Sequence, residues 1–173
     1  MGYDAPPSVV AAGDINRAKM GGDSLATFVE GIEDSRNVAG TGTGVYQTVL
    51  GHSFGSTTSS YGVSEVRPGV VDGYAVFGSP GVVNGSWDMN VPEDNRYVLL
   101  FDDDEMGIAN SGFRVQAIPQ TAGPLGTDPY LDDGFTRLNP KDANTTVTGH
   151  SGYLVNHSKA QEQLANVVVG TAG

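Results

Sequence analysis

The sequence contains no cysteine, which excludes disulfide bonds, thiolate metal sites and a cysteine nucleophile. It also lacks an apolar run of the roughly 18 residues that a membrane-spanning helix needs. Residues 1–7 form neither the basic nor the apolar part of a signal peptide. We therefore expect no membrane span, and the sequence predicts no particular compartment.

Basic residues are scarce in this chain. Lysine and arginine together number 9, against 20 aspartates and glutamates, and the formal net charge is −11. A charge of this sign repels nucleic-acid backbones and anionic membrane surfaces. We therefore expect no nucleic acid among the partners.

The length of 173 residues corresponds to one domain, which we expect to span residues 1–173. The 25 glycines and 9 prolines follow no period, which argues against a repeat protein or a disordered linker. Apolar periodicity predicts an amphipathic helix at residues 14–36, interrupted or preceded by a turn at Gly21-Gly22. The apolar and small residues that recur at three- and four-residue steps are Ile15, Ala18, Leu25, Phe28, Val29 and Ile32. A final helix is predicted at residues 156–169.

Short apolar runs predict strands, at residues 45–50, 70–77, 96–101 and 135–138. A helix predicted at residues 56–65 separates the first two strands, which is typical of a parallel βαβ unit. The sequence therefore predicts an α/β fold, with a parallel-rich sheet and flanking helices. We expect the long loop after the third strand, up to residue 134, to form a lid or a pocket wall.

The first predicted strand leads directly into the sequence Gly-His-Ser-Phe-Gly at residues 51–55. This pattern is typical of a nucleophile elbow, in which a serine sits on a strained turn between a strand and a helix. We expect Gly51 and Gly55 to relieve clashes with neighbouring backbone. Ser53 is the candidate nucleophile, and the Phe54 amide at the start of the helix is a candidate donor to an oxyanion.

A run of carboxylates follows the third predicted strand: Asp102, Asp103, Asp104 and Glu105. Electrostatic repulsion among these carboxylates is less unfavourable if one of them faces a histidine and the others face water. We favour Asp104 as that inward residue, and Asp103 after it. The alternatives are a solvated loop or a calcium site shared with Asp132 and Asp133. Otherwise the sequence predicts neither a metal nor a cofactor.

The chain has three histidines that are candidates for a general base. His52 lies inside the elbow, where its side chain points away from the serine, so we expect a structural or pocket-lining role. His157 lies at the start of the final helix, where a capping or solvated role is expected. His150 lies late in the chain, in a glycine-flanked loop, and we favour it as the base. Serine, acid and histidine then follow in the chain order of α/β hydrolases.

Further motifs flank these candidate residues. The sequence reads Gly-Tyr-Asp-Ala-Pro at residues 2–6, Gly-Ser-Pro-Gly at residues 78–81 and Gly-His-Ser-Gly-Tyr-Leu at residues 149–154. Together with the elbow, they resemble the landmarks of an actinobacterial α/β-hydrolase family long catalogued only as a domain of unknown function. The resemblance implies a triad of Ser53, Asp104 and His150. The family shows a single aspartate followed by proline where this chain has Asp104-Glu105.

Members of that family resemble this chain from the loop at residues 2–6 onward and carry further strands upstream of it. One upstream Pro-Gly turn supplies an oxyanion amide in the family. The resemblance therefore implies that the first strands are missing here, which leaves an open sheet edge available for self-association. We expect a serine hydrolase of the esterase or lipase type, acting through an acyl-enzyme on a small-molecule or lipid ester. The alternative is a catalytically incomplete, hydrolase-like binding or assembly module.

Overall fold

The computed structural model describes residues 15–41, 44–83, 88–104, 125–141 and 147–173. Its helices are α1 (Ile15–Val38), α2 (Phe54–Glu65) and α3 (Lys159–Val168). Its strands are β1 (Thr48–His52), β2 (Gly73–Phe77), β3 (Arg96–Leu99) and β4 (Thr136–Leu138). A 3-10 turn, Glu93–Asn95, precedes β3.

The four strands form one sheet in the order β1-β2-β3-β4, and every neighbouring pair is parallel. Parallel neighbours require a crossover connection, and α2 supplies it between β1 and β2. The predicted α/β fold with a parallel sheet is confirmed. In the described ranges, no helix is long and apolar enough to cross a membrane.

Helices cover both faces of this sheet. On one face, Val76 and Val98 belong to a core that includes Val29 of α1 and Val63 of α2. On the other face, alternate strand residues such as Phe77 and Leu99 pack in a second core with residues of α3. Strand β2 is buried at all of its positions, as expected for a parallel strand with helices on both sides.

Helix α1 runs without interruption through Gly21-Gly22, so the predicted break or turn at this point is wrong. A Cβ atom on Gly22 would lie 2.4 Å from the Cβ atom of Tyr61 and 2.9 Å from the amide nitrogen of Gly62. Both of these atoms belong to α2. Gly22 therefore allows α1 and α2 to pack closely and does not end α1.

The buried face of α1 agrees with the prediction in part. It consists mainly of small residues, among them Ala18, Gly21 and Ala26, whereas Ile15 and Phe28 are largely exposed. Small residues let α1 lie close to α2, and the larger apolar side chains then lie outside the contact. The apolar spacing identified the helix and placed Ala18 and Val29 correctly on its buried face, but it placed Ile15 and Phe28 there wrongly.

The first strand is less buried than its apolar sequence predicts. Val49 is buried, but Leu50 is 39% exposed and Val45, which precedes β1, is exposed as well. Strand β1 is the outermost of the four strands, so only one of its long edges is paired within the described residues. Residues 2–7 and most of the predicted lid, at residues 105–124, lie outside the described residues.

The residues of α2 are short and largely polar, yet most of them are buried between α1 and the sheet. Their hydroxyl groups find acceptors inside the protein: Thr57 Oγ1 donates to the Gly81 carbonyl at 2.8 Å, and Ser60 Oγ donates to the Thr57 carbonyl at 2.8 Å. Ser59 Oγ and the Tyr74 hydroxyl form a further hydrogen bond of 2.9 Å. Satisfied hydroxyls can be buried without a large desolvation penalty.

The contact between α1 and α2 predicts opposite effects for two glycine substitutions in α1. Gly22→Ala forces the helices apart and should lower the free energy of unfolding by about 1–3 kcal/mol. Gly31→Ala is the matched control, because a Cβ atom there meets no described atom within 4 Å. It should raise the free energy of unfolding by about 0.5–1 kcal/mol, since alanine restricts the unfolded chain. Urea denaturation measures both, and equal effects would contradict the close helix contact.

Candidate active site

Ser53 is the single residue between the end of β1 and the start of α2. Its backbone has φ 54° and ψ −133°, a conformation that residues other than glycine rarely adopt. Two backbone hydrogen bonds hold it: the Ser53 N–H donates to the Phe77 carbonyl at 3.1 Å, and the Ser56 N–H donates to the Ser53 carbonyl at 2.9 Å. The strand–turn–helix geometry is that of a nucleophile elbow.

The two glycines of the elbow differ in what they accommodate. A Cβ atom on Gly51 would lie 2.4 Å from Ser59 Oγ and 2.7 Å from the Cα atom of Ser56, so only glycine fits where β1 passes α2. A Cβ atom on Gly55 would meet no described atom within 4 Å. The prediction that the glycines relieve clashes is therefore right for Gly51 and wrong for Gly55, which faces open space.

His150 lies beside the elbow and contacts both Ser53 and Asp104. Its Nε2 atom is 2.8 Å from Ser53 Oγ, and its Nδ1 atom is 2.9 Å from Asp104 Oδ1. An ionised carboxylate only accepts hydrogen bonds, so Nδ1 carries the proton of a neutral His150. Nε2 then has a free lone pair that accepts the hydrogen bond from the Ser53 hydroxyl. This tautomer is the one that a general base needs.

The three aspartates of the acidic run point in different directions. Asp104 is 0% exposed and faces His150. Asp103 is exposed and accepts hydrogen bonds from Thr148 Oγ1 and from the Gly149 N–H, and the first of these does most to lower the pKa of its carboxyl. Asp102 pairs with Lys141 on the surface. The structure therefore brings Asp104, and neither Asp102 nor Asp103, to the histidine.

Asp103 holds the loop that carries His150, because Gly149 directly precedes that histidine.

The calcium interpretation of the acidic run has no support in the geometry. Throughout the described ranges, no group of three or more histidine, aspartate or glutamate side chains is placed to hold a metal ion.

His52 contacts His150. Among the described hydrogen bonds, none joins the His52 side chain to Ser53. Its Nε2 atom is 2.9 Å from the His150 carbonyl oxygen, which only accepts, so His52 Nε2 carries a proton. Its ring stacks on Phe77 at 5.0 Å and lies 4.7 Å from the His150 ring. Burial lowers the pKa of His52, and the hydrogen bond to the His150 carbonyl offsets only part of this effect. These contacts are consistent with the predicted structural or pocket-lining role of His52.

His157 lies apart from this group of residues. Its backbone N–H donates to Gln161 Oε1 at 2.9 Å, and Ser158 Oγ accepts from the Gln161 N–H at 3.2 Å. These bonds satisfy amides at the start of α3, so the segment is a helix cap. The cap residue is Ser158, and His157 precedes it with an exposed side chain, so of the two predicted roles the structure agrees with the solvated one.

The Gly-Ser-Pro-Gly motif lies directly beneath the candidate site. A Cβ atom on Gly78 would lie 2.8 Å from Asp104 Oδ2 and 3.1 Å from His150 Nδ1. Ser79 Oγ accepts a hydrogen bond from Ser56 Oγ at 2.6 Å, which connects the motif to the helix behind the nucleophile. Gly78 therefore leaves the space in which the aspartate and the histidine meet.

A family model described as alpha/beta hydrolase matches residues 1–106, which is more than half of the chain. The chain belongs to the alpha/beta hydrolase family. No curated protein and no solved structure matches it. The finer resemblance drawn from the sequence motifs stays a prediction, whereas the parallel α/β sheet with flanking helices agrees with the family.

The sequence predicts Ser53, Asp104 and His150 as site residues and gives no role to Tyr153. The Tyr153 hydroxyl donates to Asp104 Oδ2 at 2.7 Å, and the side chain is 1% exposed. The signal in the sequence was its position three residues after His150, in the same motif. That spacing alone does not show where a tyrosine ring points.

The lowered pKa of His52 predicts a pH-dependent contribution to stability. The unfolded chain binds a proton at His52 more readily than the folded chain, so the free energy of unfolding falls as the pH drops from about 7 to about 5. His52→Gln keeps a donor for the His150 carbonyl and should flatten this dependence. His157→Gln, at an exposed position outside the site, is the matched control. Parallel stability curves for wild type and His52→Gln would contradict the assignment.

Proposed function

We propose that this alpha/beta hydrolase is a serine hydrolase of the esterase type, in which Ser53 is the nucleophile, His150 the general base and Asp104 the triad acid. The observation that carries the proposal is the continuous hydrogen-bond chain from Ser53 Oγ through the His150 ring to the buried Asp104 carboxylate. Family membership supports hydrolysis in general. The ester substrate and the acyl-enzyme are the further steps that we propose.

The proposed reaction begins with attack of Ser53 Oγ on the ester carbonyl carbon, while His150 Nε2 takes the hydroxyl proton. The tetrahedral intermediate collapses when His150 returns this proton to the leaving alkoxide, which departs as an alcohol and leaves an ester on Ser53. A water molecule then attacks that ester while His150 takes one of its protons. His150 returns this proton to Ser53 Oγ when the bond between Oγ and the acyl carbon breaks, and the acid product leaves. Asp104 stabilises the imidazolium in both halves of the reaction.

The oxyanion of the tetrahedral intermediate needs hydrogen-bond donors close to Ser53. Phe54 is the first residue of α2, and the first amides of a helix have no acceptor within that helix. The positive end of the helix dipole also lies at this point. We assign the Phe54 N–H as one oxyanion donor, and a single donor typically contributes a factor of about 10²–10³ in rate.

An apolar acyl or alcohol group on the substrate is supported by the surface next to His150. Leu154 and Val155 follow His150 in the same loop, and both side chains are largely exposed. Exposed apolar side chains on the loop that carries the general base favour a small-molecule or lipid ester over a strongly charged one. We also propose that residues 1–173 form a single domain, because α1, α2 and α3 pack on the two faces of one sheet.

A fluorophosphonate probe tests the nucleophile directly. We expect wild-type protein to be labelled at Ser53, since attack of the activated Oγ on phosphorus displaces fluoride, and mass spectrometry locates the adduct. Ser53→Ala should abolish labelling, and Asp104→Asn should slow it by a factor on the order of 10⁴, because the histidine loses its orienting carboxylate.

Asp102→Asn is the matched control for the acid, because Asp102 lies in the same acidic run but pairs with the exposed Lys141. Labelling of this variant should remain within about a factor of two of wild type, since exposed ion pairs contribute little. A folded wild-type protein that stays unlabelled would remove the proposed function.

The second candidate function is self-assembly through the outer edge of β1. The observation in its favour is that β1 is the outermost strand of the described sheet and carries the exposed Leu50. Unpaired strand edges accept further strands. Leu50→Lys should then shift a dimer toward monomer in light scattering after size-exclusion chromatography, while Phe28→Lys on the outer surface of α1 should not. A monomeric wild type would contradict this candidate.

A further inference from the structure

We propose that Tyr153 is a positioning residue, which fixes the orientation of the Asp104 carboxylate through its second oxygen. The inference rests on the proposed function, because it concerns the acid that orients His150. Asp104 Oδ1 contacts His150 Nδ1 at 2.9 Å, and Asp104 Oδ2 contacts the Tyr153 hydroxyl at 2.7 Å. Each carboxylate oxygen therefore has a partner of its own.

The direction of the hydrogen bonds around Tyr153 is fixed by the chemistry of its neighbours. The Phe101 N–H, 3.0 Å from the Tyr153 oxygen, can only donate, and an ionised Asp104 can only accept. The hydroxyl therefore accepts from Phe101 and donates to Asp104. A hydroxyl that accepts one hydrogen bond is polarised and becomes a stronger donor in another. The two hydrogen bonds of the Tyr153 hydroxyl therefore strengthen each other.

The Tyr153 ring is held in place by aromatic neighbours. It lies 4.7 Å from the Phe101 ring, 5.4 Å from the Phe77 ring and 5.9 Å from the His52 ring, all between centroids. Burial, and next the hydrogen bond to Asp104, raises the pKa of the Tyr153 hydroxyl, so the hydroxyl keeps its proton. Because the ring is fixed and its hydroxyl is protonated, the Asp104 carboxylate is held in one orientation.

The orientation of the Asp104 carboxylate matters because Oδ1 must lie in the plane of the His150 ring. Without the Tyr153 hydroxyl as a donor to Oδ2, rotation about the bond to the carboxylate is less restricted, and Oδ1 spends more time out of line with Nδ1. Removing a hydrogen bond to a charged group typically changes a rate or equilibrium by about 10- to 100-fold. Substrate binding does not involve these buried atoms, so the loss should fall on kcat.

Tyr153→Phe tests the proposal, because it removes the hydroxyl and keeps the ring. With p-nitrophenyl acetate as the probe, we expect kcat to fall by about 10- to 100-fold at nearly unchanged KM. Tyr97→Phe is the matched control: it removes a hydroxyl that donates to the Ala172 carbonyl at 2.9 Å, and Tyr97 is also buried. It should leave kcat at the wild-type value.

Proton NMR provides a readout that does not need turnover. The proton on His150 Nδ1 lies in the hydrogen bond to Asp104, so its resonance should shift in Tyr153→Phe and stay in place in Tyr97→Phe. If folded wild type neither hydrolyses the ester nor reacts with fluorophosphonate, the proposed function fails, and the resonance still decides the role of Tyr153. An unshifted resonance, or a change in KM alone, would overturn the inference.

A fluorotyrosine at position 153 replaces the variant if Tyr153→Phe does not fold. Fluorine makes the hydroxyl a stronger donor while the ring and both hydrogen bonds are kept. The proposal then requires a shift of the His150 Nδ1 proton resonance relative to the unmodified protein. The absence of a shift would overturn it.

Discussion

A carboxylate that is shielded from water must be surrounded by hydrogen-bond donors, and the candidate site is built around one such group, Asp104. A buried, ionised carboxyl is strongly unfavourable unless its oxygens are engaged. His150 and Tyr153 engage them, and Gly78 leaves room for all three to meet. The same contacts that make the burial of Asp104 tolerable also set the position of the imidazole beside Ser53.

The parallel sheet brings these groups together from distant parts of the chain. Ser53 follows β1, Asp104 follows β3 after a short turn, and His150 lies in the loop before α3. In parallel α/β sheets, the carboxyl ends of the strands lie along one edge, where ligands bind. The sequence separation is large, but the register of adjacent strands fixes the distance between the elbow and the acid. The hydrogen bond from Ser53 to the Phe77 carbonyl ties this elbow to the neighbouring strand.

The elements that carry local signals could be predicted from the sequence, and those defined by their neighbours could not. The strand before Ser53, the order of serine, acid and histidine, and the inward choice of Asp104 followed from periodicity, turn chemistry and charge repulsion. The unbroken α1 did not, because glycine in a sequence signals either a turn or a close helix contact. Leu50 and Tyr153 were missed for the same reason. Their surroundings depend on which strand lies at an edge and which ring faces a carboxylate, and neither follows from local sequence.

The helix behind the nucleophile has a consequence for conformational entropy. Short side chains such as Ser56, Thr57, Ser59 and Ser60 have few rotamers to lose on folding, and their hydroxyls are held by neighbouring acceptors. A helix of this composition is ordered at a small entropic cost and has little freedom to rearrange once formed. Ser53, with its unfavourable backbone angles, is therefore joined to a rigid helix. Relaxation of the turn would require movement of α2 as a whole.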